Sequence, residues 1–155
     1  MNKKITGAGI IPVFDNKNLT FSDLPKDIIY LTLIDHKNKY DFPKGGYDQT
    51  DNTAFNCALR EMKEECGLNY EDFYNFHSEV DEEAIHCGQG LYLFIGKIKP
   101  NHLIKILPNE KSGFVEHLGY NWCTYNNLMS NESSLPQYLK QGLILSQDLI
   151  KVLFI

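Results

Sequence analysis

The sequence predicts an α/β (α+β) fold, with a mixed β-sheet packed between helices. Three observations point there. The runs "ITGAGIIPVF" (5–14) and "IIYLTLI" (28–34) are short, apolar and rich in β-branched residues, as strands are. A segment with helical periodicity sits between strand-like stretches, and another closes the chain. The order of strands, helix, strands, helix, joined by several antiparallel-style connections, is not that of a regular parallel βαβ array.

Each element has its own signal. In "ITGAGIIPVF", Pro12 cannot donate to a ladder, which predicts an edge strand or a bulge. "DNKNLTFSDLPKD" (15–27) reads as a polar loop, and "IIYLTLI" as a strand buried on both faces. "DHKNK" turns the chain, and "YDFPKGG" is a short strand running into a Pro/Gly turn. A helix follows, capped by Asn52 or Thr53 and stopped by Gly67 in a left-handed conformation. Ala54, Ala58, Met62 and Cys66 recur on it as a narrow apolar stripe. Further strands are expected near 73–80, 91–98, 103–106 and 118–123. The polar, helix-like "NNLMSNESS" leads to a last helix from about Pro136. Its Leu139, Leu143, Ile150 and Leu153 fall within a sector of roughly 80°.

A chain of 155 residues, 43% apolar, suits one domain spanning 1–155, without repeats or linkers. A net charge of −5 argues against a DNA-binding protein, which needs excess Lys and Arg to neutralise phosphates. A small polyanion stays admissible, because a bound divalent cation reverses the local sign. The longest apolar run is too short to cross a bilayer, and the N-terminus lacks a signal-peptide pattern. Cys57, Cys66, Cys87 and Cys123 form neither a CxxC pair nor a zinc spacing, so they read as reduced packing residues. The expectation is a cytoplasmic protein with no membrane partner. The oligomeric state is not legible.

The helix over 53–66 poses the electrostatic problem. Glu61, Glu64 and Glu65 share a sector of about 100°, off the side of Met62. Their mutual repulsion reaches a few kcal/mol at about 6 Å in a medium of effective dielectric near 20. One reading is a solvated acidic face balanced by Arg60 and Lys63. The other is a site for Mg2+ or Mn2+, hard cations held by few carboxylates together with waters and substrate phosphates.

Gly46, Asn52, Arg60, Glu61, Met62, Glu64, Glu65, Gly67 and Leu68 follow the spacing G-x5-E-x7-R-E-U-x-E-E-x-G-U, with U bulky and aliphatic. This stretch resembles the Nudix box, and one specified position departs from it: Asn52 stands where the box has its first glutamate. The resemblance implies a Nudix-type α/β/α sandwich and a pyrophosphohydrolase dependent on Mg2+ or Mn2+. It further implies metal binding by Glu61, Glu64, Glu65 and the Gly45 carbonyl, with Arg60 holding the loop–helix corner. Lacking the box glutamate, Arg60 has Asp51, Asp48 or Glu64 as alternative partners.

"GAGIIPVF", "IIYLTLI", "DFPKGG" and "EHLGYNW" (116–122) also look like segments of asymmetric diadenosine tetraphosphate hydrolases. That likeness implies hydrolysis of a phosphoanhydride in a nucleoside diphosphate linked to another moiety. The partner expected is a small nucleotide such as a dinucleoside polyphosphate, with capped RNA or a diphosphoinositol phosphate as alternatives, or a non-catalytic nucleotide-binding role. Glu64 or a distal acid, Glu116 or else Glu110, would accept a proton from water. Lys44 could contact phosphate or be a solvated turn lysine; Tyr47 could face the cleft or simply pack. His117 could support a phosphate or be an ordinary loop histidine, and Tyr120 could stack on a base or fill the core. The acidic "HSEVDEEAIHCGQG" (77–90) disfavours docking of long RNA.

Overall fold

A computed structural model describes residues 4–15, 28–99, 104, 106 and 117–153. Among the described residues eight strands form one mixed sheet: β1 (Gly7–Asp15), β2 (Ile28–Asp35), β3 (Tyr40–Asp41), β4 (Lys44–Gly46), β5 (Phe73–Phe76), β6 (Ile85–His86), β7 (Leu91–Ile98) and β8 (His117–Thr124). The helices are α1 (Ala54–Cys66), α2 (Tyr125–Met129) and α3 (Gln137–Leu153). β1 pairs parallel with β7; every other pairing is antiparallel.

Alternation along the strands sorts the core into two layers. Ala8, Ile10, Leu31, Leu33, Tyr92 and Phe94 face α1, where Ala58, Met62 and Cys66 meet them. Ile11, Val13, Tyr30, Leu93 and Ile95 face the other way, against Leu139, Leu143, Ile150 and Leu153 of α3. The sheet is therefore buried on both faces, as the continuous apolar run of β2 requires. This is the expected α/β/α sandwich.

The sequence expectation fails at Pro12. β1 is a central strand, paired on one side with β7 and on the other with β4 and then β2. Ile10 donates to the Pro43 carbonyl on the β4 side at 3.0 Å, so the nitrogen of Pro12 faces that side too. The register with β4 ends at Gly9 and that with β2 starts at Val13. Pro12 thus falls where one neighbour gives way to the next, and no ladder bond is lost.

Other boundaries shift. The strand expected near 73–80 stops at Phe76; a loop with a 3-10 turn at Asp81–Glu83 follows, then β6, which had not been anticipated. Residues 103 and 105 of the strand expected near 103–106 lie outside the described residues, while Ile104 packs in the α1-side core. The polar stretch before the last helix contains α2, capped by Thr124. All four cysteines are free thiols. Among the described residues no helix is long and apolar enough to cross a membrane.

Phe94 is fully buried at the centre of the α1-side core, edge-on to Phe55 at 5.1 Å. Replacing Phe94 with alanine should cost about 3–5 kcal/mol in urea unfolding, through lost transfer energy and the cavity left behind. A loss below about 1 kcal/mol would show that this layer is not close-packed.

Candidate functional site

The site is assembled where the glycine turn meets α1. Thr53 caps the helix by accepting from the Asn56 N–H at 3.1 Å, and Gly67 ends it at φ 76°. A second cap comes from far along the chain. The Asp81 carboxylate accepts from the N–H groups of Ala54 (2.7 Å) and Phe55 (3.1 Å). An anion at the helix N-terminus satisfies two open donors and suits the helix dipole. The acidic segment 77–90 therefore braces α1, and its Glu79 accepts from the Tyr70 hydroxyl at 2.7 Å.

The acids of α1 do not form a solvated face. The Glu61 and Glu65 side chains are 15% and 8% exposed, and Glu64, at 33%, is the most open. Arg60 gathers them. Its Nη1 donates to Glu61 Oε1 at 3.0 Å and lies 3.3 Å from Glu64 Oε1. Its opposite edge makes a bidentate pair with Asp51, Nε to Oδ1 at 2.8 Å and Nη2 to Oδ2 at 2.9 Å. Nη2 also donates to the Gly46 carbonyl at 2.9 Å, tying helix to turn. Of the alternative partners for Arg60, Asp51 and Glu64 are used. Asp48 instead caps the preceding 3-10 turn through the Thr50 N–H. The hydrogen bonds from Arg60 hold the Asp51 carboxyl below its ordinary pKa, and Arg60 is raised in turn.

Glu65 is held differently. Its Oε1 accepts from the backbone N–H of Lys44 at 2.9 Å, and its Oε2 lies 3.3 Å from Nδ1 of the buried His117. A bulge makes the second contact possible. Ile34 pairs with Gly119 but Asp35 pairs with His117, leaving Leu118 as the extra residue. The slip turns His117 to the α1 face, which Tyr120 and Trp122 share as cross-strand neighbours of Leu33 and Leu31. Tyr120, 41% exposed, meets Trp122 edge-on at 6.1 Å, and Trp122 meets Phe14 at 5.1 Å.

Lys44 enters the site through its backbone. Its ammonium lies 3.5 Å from Asp41 and 5.9 Å from the ring centroid of Tyr138 on α3. Burial opposes its charge, but Asp41 and Tyr138 outweigh that and raise its pKa. Tyr47 is half-buried against the α1-side core. Glu116 and Glu110 lie outside the described residues.

Gly45 stands against the carboxylate of Glu61 so closely that a Cβ there would collide with it. The donors around the turn are oxygens. Cys57 Sγ lies 3.8 Å from the Gly45 carbonyl, and burial pushes its thiol up to about 12. Among the described residues no three Asp, Glu, His or Cys side chains form a ready cage for an ion. Mg2+ does not need one, since it usually keeps several waters and takes one or two carboxylates. Glu61 and Glu64, both reaching one Arg60 nitrogen beside Gly45, fit that mode of binding.

The contacts of Glu65 with Lys44 and His117 could not be foreseen from spacing, nor could the Asp81 cap, because both join segments far apart in the chain. The closeness of Glu61 to Gly45 had one signal in the sequence, the double glycine itself.

Comparison with known proteins agrees with this fold. Many solved structures share the fold, among them the following three. A C. elegans Ap4A hydrolase binary complex is 17% identical with a TM-score of 0.66, covering 96% of this chain and 99% of that one. The Nudix hydrolase RenU from M. smegmatis is 13% identical with a TM-score of 0.64, covering 96% and 87%. The NUDIX domain of Shewanella oneidensis NrtR, complexed with ADP ribose, is 9% identical with a TM-score of 0.57, covering 99% and 90%. A search of curated proteins finds no match. The NUDIX domain family model matches residues 4–141. The chain therefore belongs to the NUDIX family of pyrophosphohydrolases.

Proposed function

We propose that the protein hydrolyses a phosphoanhydride in a nucleoside diphosphate linked to another moiety, with a dinucleoside polyphosphate such as diadenosine tetraphosphate as substrate. One observation carries the reading: Asp51, Glu61 and Glu64 share the single guanidinium of Arg60 beside a glycine turn. Among the described residues these three carboxylates crowd one guanidinium, and like charges about 6 Å apart repel by about 3 kcal/mol at an effective dielectric near 20. A divalent cation relieves it.

Glu61, Glu64 and the Gly45 carbonyl would hold Mg2+ or Mn2+, with Glu65 beside them. Such an ion, when bound, neutralises phosphate oxygens and lowers the pKa of water. The protein's own groups supply the rest. Glu64, the most exposed of the three helix acids, would take a proton from the attacking water as the water oxygen bonds to phosphorus and the bridging oxygen departs. Glu116 is the alternative acceptor. His117 and the Lys44 N–H fix the carboxylate of Glu65, so that it does not reorient during the reaction.

The nucleoside reading is supported by Tyr120 and Trp122, whose rings share the face of His117 and offer a stacking surface for a base. The overlay on an Ap4A hydrolase over nearly the whole of both chains supports it as well. A role for Lys44 at a phosphate would need its ammonium to leave Asp41 and Tyr138.

Glu64→Gln and Glu65→Gln should each lower turnover by about 100-fold while the far-UV circular dichroism stays unchanged. Wild-type rates from either would refute the assignment. Turnover of diadenosine tetraphosphate, capped RNA and a diphosphoinositol phosphate, compared in Mg2+ and Mn2+, should favour the first. Preference for either of the others would overturn the substrate assignment but leave the bond type intact.

Gly45→Ala is a sharper probe, because the atoms a Cβ would strike are the tip of a flexible side chain. Turnover should fall on the order of 100-fold as Glu61 is displaced, with the melting temperature shifting only about 2–4 °C. Unchanged turnover would detach Glu61 and Gly45 from the site.

A further inference from the structure

Asn52 stands where the Nudix box has an acid, and the structure shows how this chain is built without it. Asn52 is exposed and has φ 67° with ψ −39°, a positive-φ backbone in a tight turn closed by the Thr53 N–H on the Asp51 carbonyl, and asparagine enters positive φ more readily than glutamate. The acid that meets Arg60 is the residue before. Asp51 is only 7% exposed, and its place is held from several sides. Its Oδ2 accepts from the Asp48 N–H at 2.9 Å, while its carbonyl accepts from Asn56 Nδ2 at 2.9 Å and from the Thr53 N–H at 2.8 Å.

We infer that Asp51 is a positioning residue for the cation site, holding the two-nitrogen edge of Arg60 away from the oxygens of Glu61 and Glu64. The inference rests on the metal reading above and extends it. A guanidinium prefers to grip a carboxylate through two parallel N–H donors. In this structure Nε and Nη2 are spent on Asp51 and Gly46. Nη1 is left to Glu61 and Glu64 at 3.0, 3.3 and 3.4 Å. One shared nitrogen orients both acids and neutralises neither fully. Without the Asp51 carboxylate, the two-pronged edge is free to capture Glu61 or Glu64, and that acid is lost to the cation. Negative charge at residue 51 therefore does what the box assigns to residue 52, and Asn52 is no lesion in the site.

The test is Mn2+ titration followed by calorimetry on wild type, Asp51→Asn and Asp48→Asn, each checked for folding. Asp48→Asn removes the same unit charge from the same turn without touching Arg60. Wild type and Asp48→Asn should bind alike, and Asp51→Asn should bind about 10–100-fold more weakly, the usual effect of losing an outer-shell partner. Equal affinity for wild type and a folded Asp51→Asn overturns the inference alone. So does an equal loss in Asp48→Asn, which would mark a bulk charge effect. Absence of Mn2+ binding by wild type overturns both this and the metal reading. Should Asp51→Asn not fold, the Arg60 Nε–H signal of labelled wild type decides. It should remain protected from exchange when Mg2+ is added, and loss of that protection would show that Asp51 releases the guanidinium.

Discussion

Everything at the site hangs on the guanidinium of Arg60. It joins the glycine turn at Gly46, the 3-10 turn at Asp51 and the acids of α1, three successive pieces of chain brought together at one corner. Arginine suits the task because its donors are rigid, planar and permanently charged. Such a pair is not mainly a source of stability, since desolvation takes back much of the Coulomb gain. What it provides is geometry under electrostatic load, with carboxylates kept close although they repel. The rest of the fold supplies a platform. A sheet buried on both faces presents β4 and β8 to one side of α1, and Asp81 secures the helix start.

How much of this was legible in the sequence depended on whether the determinant was local. The Thr53 cap, the Gly67 stop and the buried stripe Ala54, Ala58, Met62, Cys66 all rest on contacts within a helix turn or two, and they are as expected. The strand over 91–98 was legible for the same reason. Pro12 was misread because the rule about proline concerns one hydrogen bond, and whether that bond is needed depends on where two neighbouring strands end. β6 was missed because two residues carry no periodicity. Asp81, the Lys44 N–H and His117 were out of reach for pattern reasoning, since their partners lie tens of residues away and, for His117, a bulge sets the facing.

The acidic segment 77–90 shows how composition can mislead about purpose. Read as a charge run it speaks to the choice of substrate, yet in the fold Asp81 and Glu79 have structural partners. On the function proposed above, substrate choice would fall instead to the groups on the α1 side of β8. There the aromatic edge of Tyr120 and Trp122 lies beyond His117, and a phosphate chain bound at the acids would carry its nucleoside along that face. The family relation fixes the class of chemistry, while on the proposed reading these few side chains would decide what is bound on either side of the scissile bond.

The central claim is that the acids on α1 gather around a hard divalent ion. Anomalous diffraction from a crystal soaked in Mn2+ tests it most directly. The account predicts a peak bounded by the Glu61 and Glu64 carboxylates and the Gly45 carbonyl, with the Arg60–Asp51 pair still closed. A crystal with no peak there at millimolar Mn2+, or with the ion bound elsewhere while Glu61 and Glu64 stay on Arg60, would contradict it.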